Sequence, residues 1–439
     1  MSAKRHSKDL CADSSAGSSG LGRRSFLQFL ATDAALMGAA QPAVSNYQVG
    51  VGTSSDPYTA TQRAIAASGQ FPAAAIAGNP VVIKPNLVSQ LPASSGVTTD
   101  PQVVRAIVDM ALSAGASQVS IVEAFALGKP AYWPVCGYDV VFNNYDPRVQ
   151  LVDLRNGTFT LAPVPGGYVY KSLWLPSLLL QPNTVFISAG KMKTHINVVA
   201  TLSMKNLVGL AEQQVYQVAG QFARQDLHSR GIDLAIVDLN LARPISFAVI
   251  DGIWALEGNG PGLGTPVAMN MAIAGLNAVA VDRVGLSAME FSQTAVPHVV
   301  YASLKGLGPS DVSKVKILGD SYAPYPFAPA PIGPIIWQPT ATPASFSLSA
   351  GGQTVFSFKL PQPCQIRVDV IQDSDVTPAA NVVRLVQNWM PSTGPVQNFA
   401  WRGLNNSGGL VAPGLYLARA MARYTQPVTY ASAMVTVTA

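Results

Sequence analysis

The run from Gly190 to Gly209 reads GKMKTHINVVATLSMKNLVG, placing Lys191, Lys193, Lys205 and His195 close together in a chain that is only 12% charged and holds four histidines. Lysine ammoniums are compact donors suited to phosphate or carboxylate, and histidine exchanges a proton near neutral pH. The chemistry these residue types imply is capture of a small anion coupled to proton transfer. Other polar groups follow apolar runs in the same way: Lys84 and Asn86 after Val81-Val82-Ile83, Glu123 after Gln118–Val122, and Asp251 after Ile245–Ile250. Each alone has an ordinary explanation as a solvated loop residue or a satisfied structural group, so their convergence carries the reading. The expected catalytic residues are His195, Lys193 and Asp251, with Lys84, Asn86, Glu123, Lys191, Lys205 and Asn206 as ligand-binding groups. Asp251, Glu257 and Asp282 are the carboxylates that suit a hard divalent cation, although their spacing does not specify a metal.

These groups need a scaffold that gathers strand ends. Thr184–Ala189 is short, β-branched and apolar, and predicts a buried strand that ends where Gly190 opens a loop. Further strands are expected at Val81–Ile83, Gln118–Val122, Gln150–Leu154, Ile245–Ile250, Met269–Ala274 and Val315–Leu318. Helices are expected over 100–114, 232–241, 278–289 and 297–304. Asp100 reads as an N-cap with Pro101 in the first helical position, and Gly115 as the C-terminal glycine. Alternation of this kind predicts an α/β domain over 49–319, a mostly parallel sheet with helices on both faces and a ligand site at the carboxyl edge. The glycine-rich run Glu257–Gly264 lacks the spacing of a phosphate-binding loop or a dinucleotide fingerprint and is expected to form a loop at the edge of the site.

Seven prolines between Tyr322 and Ala344 rule out regular helix and predict an extended spacer over 320–344. Beyond it, short alternating strands at 346–348, 354–360, 365–372, 379–386 and 415–424 predict a small β-sandwich over 345–439. At the other end, Gly22-Arg23-Arg24-Ser25-Phe26-Leu27-Gln28 precedes a short apolar segment, Phe29–Ala40, that ends in small residues. This resembles a twin-arginine export signal over 1–43, which implies the translocase as a partner during export and a periplasmic or extracellular destination. A folded-state export route also hints at a cofactor without identifying one.

The net charge of +5 falls to +3 without the first forty residues, which carry five basic and three acidic side chains, and no basic stripe argues for nucleic acid. No later run of about 18 unbroken apolar residues predicts a membrane span. Of the three cysteines, Cys11 lies in the expected signal, and Cys136 and Cys364 fall in different expected domains, so neither an iron–sulfur cluster nor a disulfide framework is expected. The aromatic surroundings of Cys136 suit a buried loop thiol.

The blocks Lys84-Pro85-Asn86-Leu87, Thr99-Asp100-Pro101, Gly115-Ala116, Lys191-Met192-Lys193-Thr194-His195, Thr201 to Gly209, His228, Asp238, Asp251-Gly252, Glu257-Gly258 and Val281-Asp282 resemble the bacterial and archaeal domain of unknown function 362. The resemblance spans roughly 49–319 and implies an α/β domain of unsettled reaction. Its polar motif positions fall on Lys84, Asn86, Lys191, Lys193, His195, Lys205, Asn206, Asp251, Glu257 and Asp282. Some relatives carry ferredoxin-type cysteine motifs, which this chain lacks. At the other end, Trp401-Arg402-Gly403, Asn405–Gly408 and Val411–Tyr416 resemble the immunoglobulin-like domain of the flagellar hook-capping protein. That resemblance implies that Trp401 fills a sandwich core and that the domain meets an envelope partner or acts as a spacer. Two functions fit these features: an exported enzyme acting on a small anionic ligand, or a cell-envelope protein that binds such a ligand without transforming it.

Overall fold

The computed structural model describes residues 47–218, 224–373 and 382–439, so the expected export signal and Cys11 lie outside the described residues. The chain opens with β1 (Tyr47–Thr53) and α1 (Pro57–Ser68). Next come β2 (Pro80–Pro85), α2 (Pro101–Ser113), β3 (Gln118–Glu123) and β4 (Val149–Asp153). A hairpin of β5 (Phe159–Pro163) and β6 (Ser172–Pro176) precedes β7 (Val185–His195) and β8 (Val199–Thr201). The region closes with α3 (Gln225–Ala242), β9 (Phe247–Glu257), β10 (Thr265–Gly275), α4 (Ala278–Ala288), α5 (Pro297–Leu304) and β11 (Val315–Gly319).

Among the described residues the principal sheet has nine strands, ordered β11-β1-β10-β9-β7-β2-β3-β4, with β8 added to the end of β7. It is mostly parallel: β9, β7, β2, β3 and β4 all run the same way, while β10 is antiparallel to both neighbours. The α2 segment forms where expected because the Asp100 side chain accepts from the Gln102 N–H, Pro101 presets the first turn, and Val103, Val104, Ile107, Val108 and Ala111 make one buried face. That face joins Val81, Ile83 and Ile121 of the sheet in one apolar core.

Among the strands that run beyond their expected limits, β7 and β9 matter for the site. The β7 strand does not end at Ala189; it continues through Lys191 and Lys193 to His195, buried throughout. The β9 strand likewise runs on past Ile250, so Asp251 sits inside it rather than after it. Lysines within a run read as loop because strand interiors exclude unpaired charge. Here Lys191 lies in register with Asp251 on the adjacent strand, and that pairing permits the extension.

Beyond β11, residues 320–336 hold no regular element and lie against the α/β body instead of spanning open solvent. Tyr325 and Phe327 donate backbone hydrogen bonds to the Ala288 and Met289 carbonyls, and Phe327 and Ile336 are buried. The C-terminal part comprises β12 (Trp337–Thr342), β13 (Ser345–Ser347), β14 (Thr354–Lys359), β15 (Gln365–Gln372), β16 (Val382–Pro391), β17 (Val396–Trp401), β18 (Gly414–Arg423) and β19 (Thr429–Thr438). They form a three-stranded sheet, β12-β14-β17, and a five-stranded sheet, β13-β19-β18-β15-β16. Trp401 is buried, edge-on to Phe346 and Tyr416, with its indole N–H donating to the Leu404 carbonyl.

The same structural unit spans both parts. At Gly231, α3 departs from helical geometry (φ 114°), and a Cβ there would lie 3.1 Å from the Ala431 Cα and from the Tyr430 carbonyl oxygen of β19. Only glycine both adopts that backbone and admits that approach. Beside it, the buried Arg230 guanidinium stacks on Tyr170 and pairs with Asp226 at 2.8 Å and with Asp373, just past β15.

Candidate functional site

Five of the expected residues, Lys84, Asn86, Glu123, Lys193 and Asn206, gather around the carboxyl end of β2. Register pairs Lys84 with Ser188 and Pro85 with Ala189, so the last six residues of β7 overrun β2 and pass over its end. Lys84 is buried, and its ammonium donates to the Glu123 carboxylate (2.8 Å), the Pro85 carbonyl (2.9 Å) and Asn206 Oδ1 (3.4 Å). The same Glu123 oxygen accepts from the Leu87 N–H, and its other oxygen accepts from the Ala124 N–H. Burial lowers the Lys84 pKa against the opposing pull of Glu123. Gly209 roofs this pair: a Cβ there would lie 2.7 Å from Lys84 Cε and 3.1 Å from Glu123 Oε1.

The second pair is Lys191 with Asp251, 2.7 Å apart and both fully buried. Asp251 also accepts from the Asp100 and Ile253 N–H groups, so the helix cap of α2 is tied to the strand pair. Burial, then the nearby Asp251 charge, raises the Asp100 pKa to about 6.

Among the described residues Lys193 has no such carboxylate. Its ammonium is buried and donates only to neutral oxygens, Asn86 Oδ1 (2.8 Å) and the Val97 carbonyl (2.7 Å). Burial pushes its pKa well below the usual lysine value, and Lys205 and Lys191 add to the shift. Asn86 in turn donates to Asn206 Oδ1 (3.1 Å), and Asn206 donates to the Lys84 carbonyl and Ser188 Oγ. The two asparagines therefore join the Lys84 and Lys193 networks.

Lys205, in a short 3-10 turn (Lys205–Leu210), is half-buried, and among the described residues its ammonium has no hydrogen-bond or ion-pair partner. Burial, then Lys84, lowers its pKa to about 8. His195 ends β7. Its Nδ1 accepts from the Asn197 backbone N–H (3.1 Å), which assigns the ring proton to Nε2. Burial, then the Lys205 charge, holds its pKa well below the ordinary value, so the ring is neutral at physiological pH. His195, expected to exchange a proton, therefore presents an N–H donor at Nε2.

The three expected metal carboxylates are not brought together. Asp251 is committed to Lys191, Glu257 accepts from the Ala328 N–H of the proline-rich run, and Asp282 accepts from the Ser203 N–H, Ser203 Oγ and Met204 N–H. Asp282 thus fixes the turn that leads to Lys205, and burial raises its pKa to about 6. Among the described residues, no group of three histidine, cysteine or acidic side chains is placed to hold a metal ion. The glycine-rich loop does border the site: Thr194 Oγ1 donates to the Gly258 carbonyl, and the Ile196 N–H donates to the Gly260 carbonyl. Cys136 and Cys364 are free and buried, and burial raises both thiols to about 11.

Several neighbours were not singled out from sequence. Arg224 donates to the Ala211 and Gly209 carbonyls, and burial lowers its pKa to about 10. Asn197 links His195 to His228, its side chain lying 3.4 Å from His228 Nδ1. Burial, then Lys205, lowers the His228 pKa to about 3. His228 was visible as a motif position, whereas Asn197 follows His195 with no distinguishing signal of its own.

A thylakoid-associated protein of Synechocystis is 27% identical over 238 residues, covering 53% of this chain and 70% of that protein. Among solved structures, a Thermotoga maritima protein matches at 11% identity over 48% of this chain and 53% of its own length, with a TM-score of 0.28. The Pseudomonas fluorescens alkylpurine DNA glycosylase AlkC, bound to DNA containing an abasic site analog, matches at 17% identity over 37% of this chain and 46% of its own, with a TM-score of 0.18. The chain thus spans about half the length of these two structures, and scores so low carry no argument about fold or function. Residues 81–287 match the family described as a domain of unknown function, DUF362, and that span holds every lysine, asparagine, histidine and carboxylate of the candidate site.

Proposed function

We propose that this protein is an exported enzyme that binds a small anionic ligand, a phosphate or carboxylate, beside Lys205 and Lys193 at the carboxyl edge of the sheet. One observation carries the reading: among the described residues the ammonium of Lys205 has no partner, although it stands in a cluster where the buried Lys84 and Lys191 ammoniums are matched by carboxylates. An anion supplies the missing counter-charge, as a compact lysine donor suits. The neutral His195 donates its Nε2–H to a ligand oxygen. Lys205, titrating near 8, is the group able to hand over and recover a proton near neutral pH. Lys84, Glu123, Lys191 and Asp251 hold the frame. Should a divalent metal take part, the ligand itself must supply most of its donors, because the carboxylates expected for it are already engaged.

Arg23-Arg24 with the following Phe-Leu supports export by the twin-arginine route to a periplasmic or extracellular location. The two facing sets of C-terminal strands, with Trp401 buried among aromatic rings, support an immunoglobulin-like module of the hook-capping type that offers a surface to an envelope partner. Native mass spectrometry of protein purified from its own host tests the ligand. A retained anion lost in Lys205→Met is the expected result; an identical bare mass in both proteins overturns it. Retention without turnover of the identified ligand points instead to a non-catalytic binding protein of the envelope.

A further inference from the structure

A cavity of about 260 Å³ lies where α3, the turn after β7, the proline-rich run and the loop entering β19 meet. Its walls are fixed by backbone contact on two sides. Gly231 brings α3 against Ala431, and a Cβ on Gly333 would lie 2.5 Å from the Pro427 carbonyl oxygen. Ile232, Ile332, Ile336 and Val428 make much of the lining apolar, while Asn197, His228 and Gln225 bring polar groups to it. Gln225 is about nine-tenths buried; its amide nitrogen donates to Ser229 Oγ, and among the described residues its Oε1 has no hydrogen-bond partner. A buried acceptor left unmatched is unfavourable until a donor reaches it. The cavity also adjoins the anion site: Asn197 touches His228 with its side chain and His195 with its backbone N–H.

We infer that this cavity receives the apolar body of the ligand, so that the molecule bound is an amphipathic anion, a carboxylate or phosphate head on a short chain bearing a hydrogen-bond donor for Gln225. The inference rests on the anion reading of Lys205. At roughly 30 Å³ per water-sized group, the space takes about eight or nine non-hydrogen atoms, fewer than a drug-sized ligand. It also gives the C-terminal strands a role in recognition, because β19 and its entering loop form one wall.

Calorimetric titration of the full chain with acetate, orthophosphate and 6-hydroxyhexanoate tests this, alongside the cavity-filling variants Ile232→Phe and Ala431→Leu. The hydroxyhexanoate, whose hydroxyl can donate to Gln225, is expected to bind at least tenfold more tightly than acetate to the unmodified chain. That advantage should vanish in whichever filled variant still unfolds cooperatively, with acetate affinity unchanged. Equal affinity for acetate and 6-hydroxyhexanoate in the unmodified chain overturns the cavity assignment and leaves the anion site standing, as does an advantage that survives both fillings. Failure of all three anions to bind overturns the anion reading itself.

Discussion

Two halves of one basic cluster are built on opposite principles. Lys84 and Lys191 each meet a carboxylate at hydrogen-bond distance in the buried interior, whereas among the described residues Lys193 meets only neutral oxygens and Lys205 meets no hydrogen-bond or ionic partner. Burying a charge is tolerable when it is paired and saturated with hydrogen bonds, and costly otherwise. The matched half therefore belongs to the architecture, since it ties β2 to β3 and β7 to β9. The unmatched half keeps an electrostatic deficit that an incoming anion removes. Lysine count alone does not separate the two; the partners do.

Removing one member of a matched pair should have the largest effect. Asp251→Ala strands the Lys191 ammonium and releases the Asp100 N–H, and is expected to cost about 3–5 kcal/mol in urea unfolding followed by circular dichroism. A loss under about 1 kcal/mol would erase the contrast. Lys205→Met should behave oppositely, weakening phosphate or acetate binding by about tenfold, which corresponds to about 1.4 kcal/mol. Its unfolding free energy should stay within about 0.5 kcal/mol of the unmodified chain. Because the ammonium is the binding form and titrates near 8, anion affinity should be full below that pH and fall as pH rises through it.

A smaller effect concerns His228. Its folded pKa of about 3 lies below the unfolded value, so acidification protonates the unfolded chain first. Stability from this group is complete above the unfolded value near 6.5 and is lost as pH falls toward 3. His228→Asn should therefore flatten the difference in unfolding free energy between pH 7.5 and pH 5 by about 1 kcal/mol, after allowance for its partial exposure. The smallest change is expected for Lys193→Met. Losing an unmatched buried charge offsets the loss of two hydrogen bonds, leaving stability within about 1 kcal/mol while anion affinity drops. A destabilisation as large as that of Asp251→Ala would show that Lys193 belongs to the matched half.

The apolar strands and the capped α2 were legible because local pattern and capping chemistry agree there: Val81–Ile83, Gln118–Val122 and Asp100-Pro101 all sit within the expected elements. The continuation of β7 to His195 was not legible, because the residue that licenses a buried Lys191 is Asp251, sixty positions away. The opening β1 and α1 went unread, and β1 finds its neighbours in β10 and β11, near the far end of the same sheet region. The convergence of Lys84, Asn86 and Glu123 followed from the ends of β2 and β3 sharing an edge, whereas Lys193 and Asn206 join them from within β7 and from the 3-10 turn. The separation of Asp251, Glu257 and Asp282 did not, since composition shows carboxylates but not the backbone amides that consume them.

The clasp between Arg230 and Asp373 has a bearing on how this chain can be rearranged. Modules joined by a bare tether can be shuffled between proteins as cassettes, since neither side depends on the other. Here a cut anywhere in 320–336 would uncover the kinked face of α3 and leave Arg230 with a single acidic neighbour. Exchange of the C-terminal module for a foreign one would succeed only if the replacement carried an equivalent of Asp373 and a strand able to lie flush against Gly231.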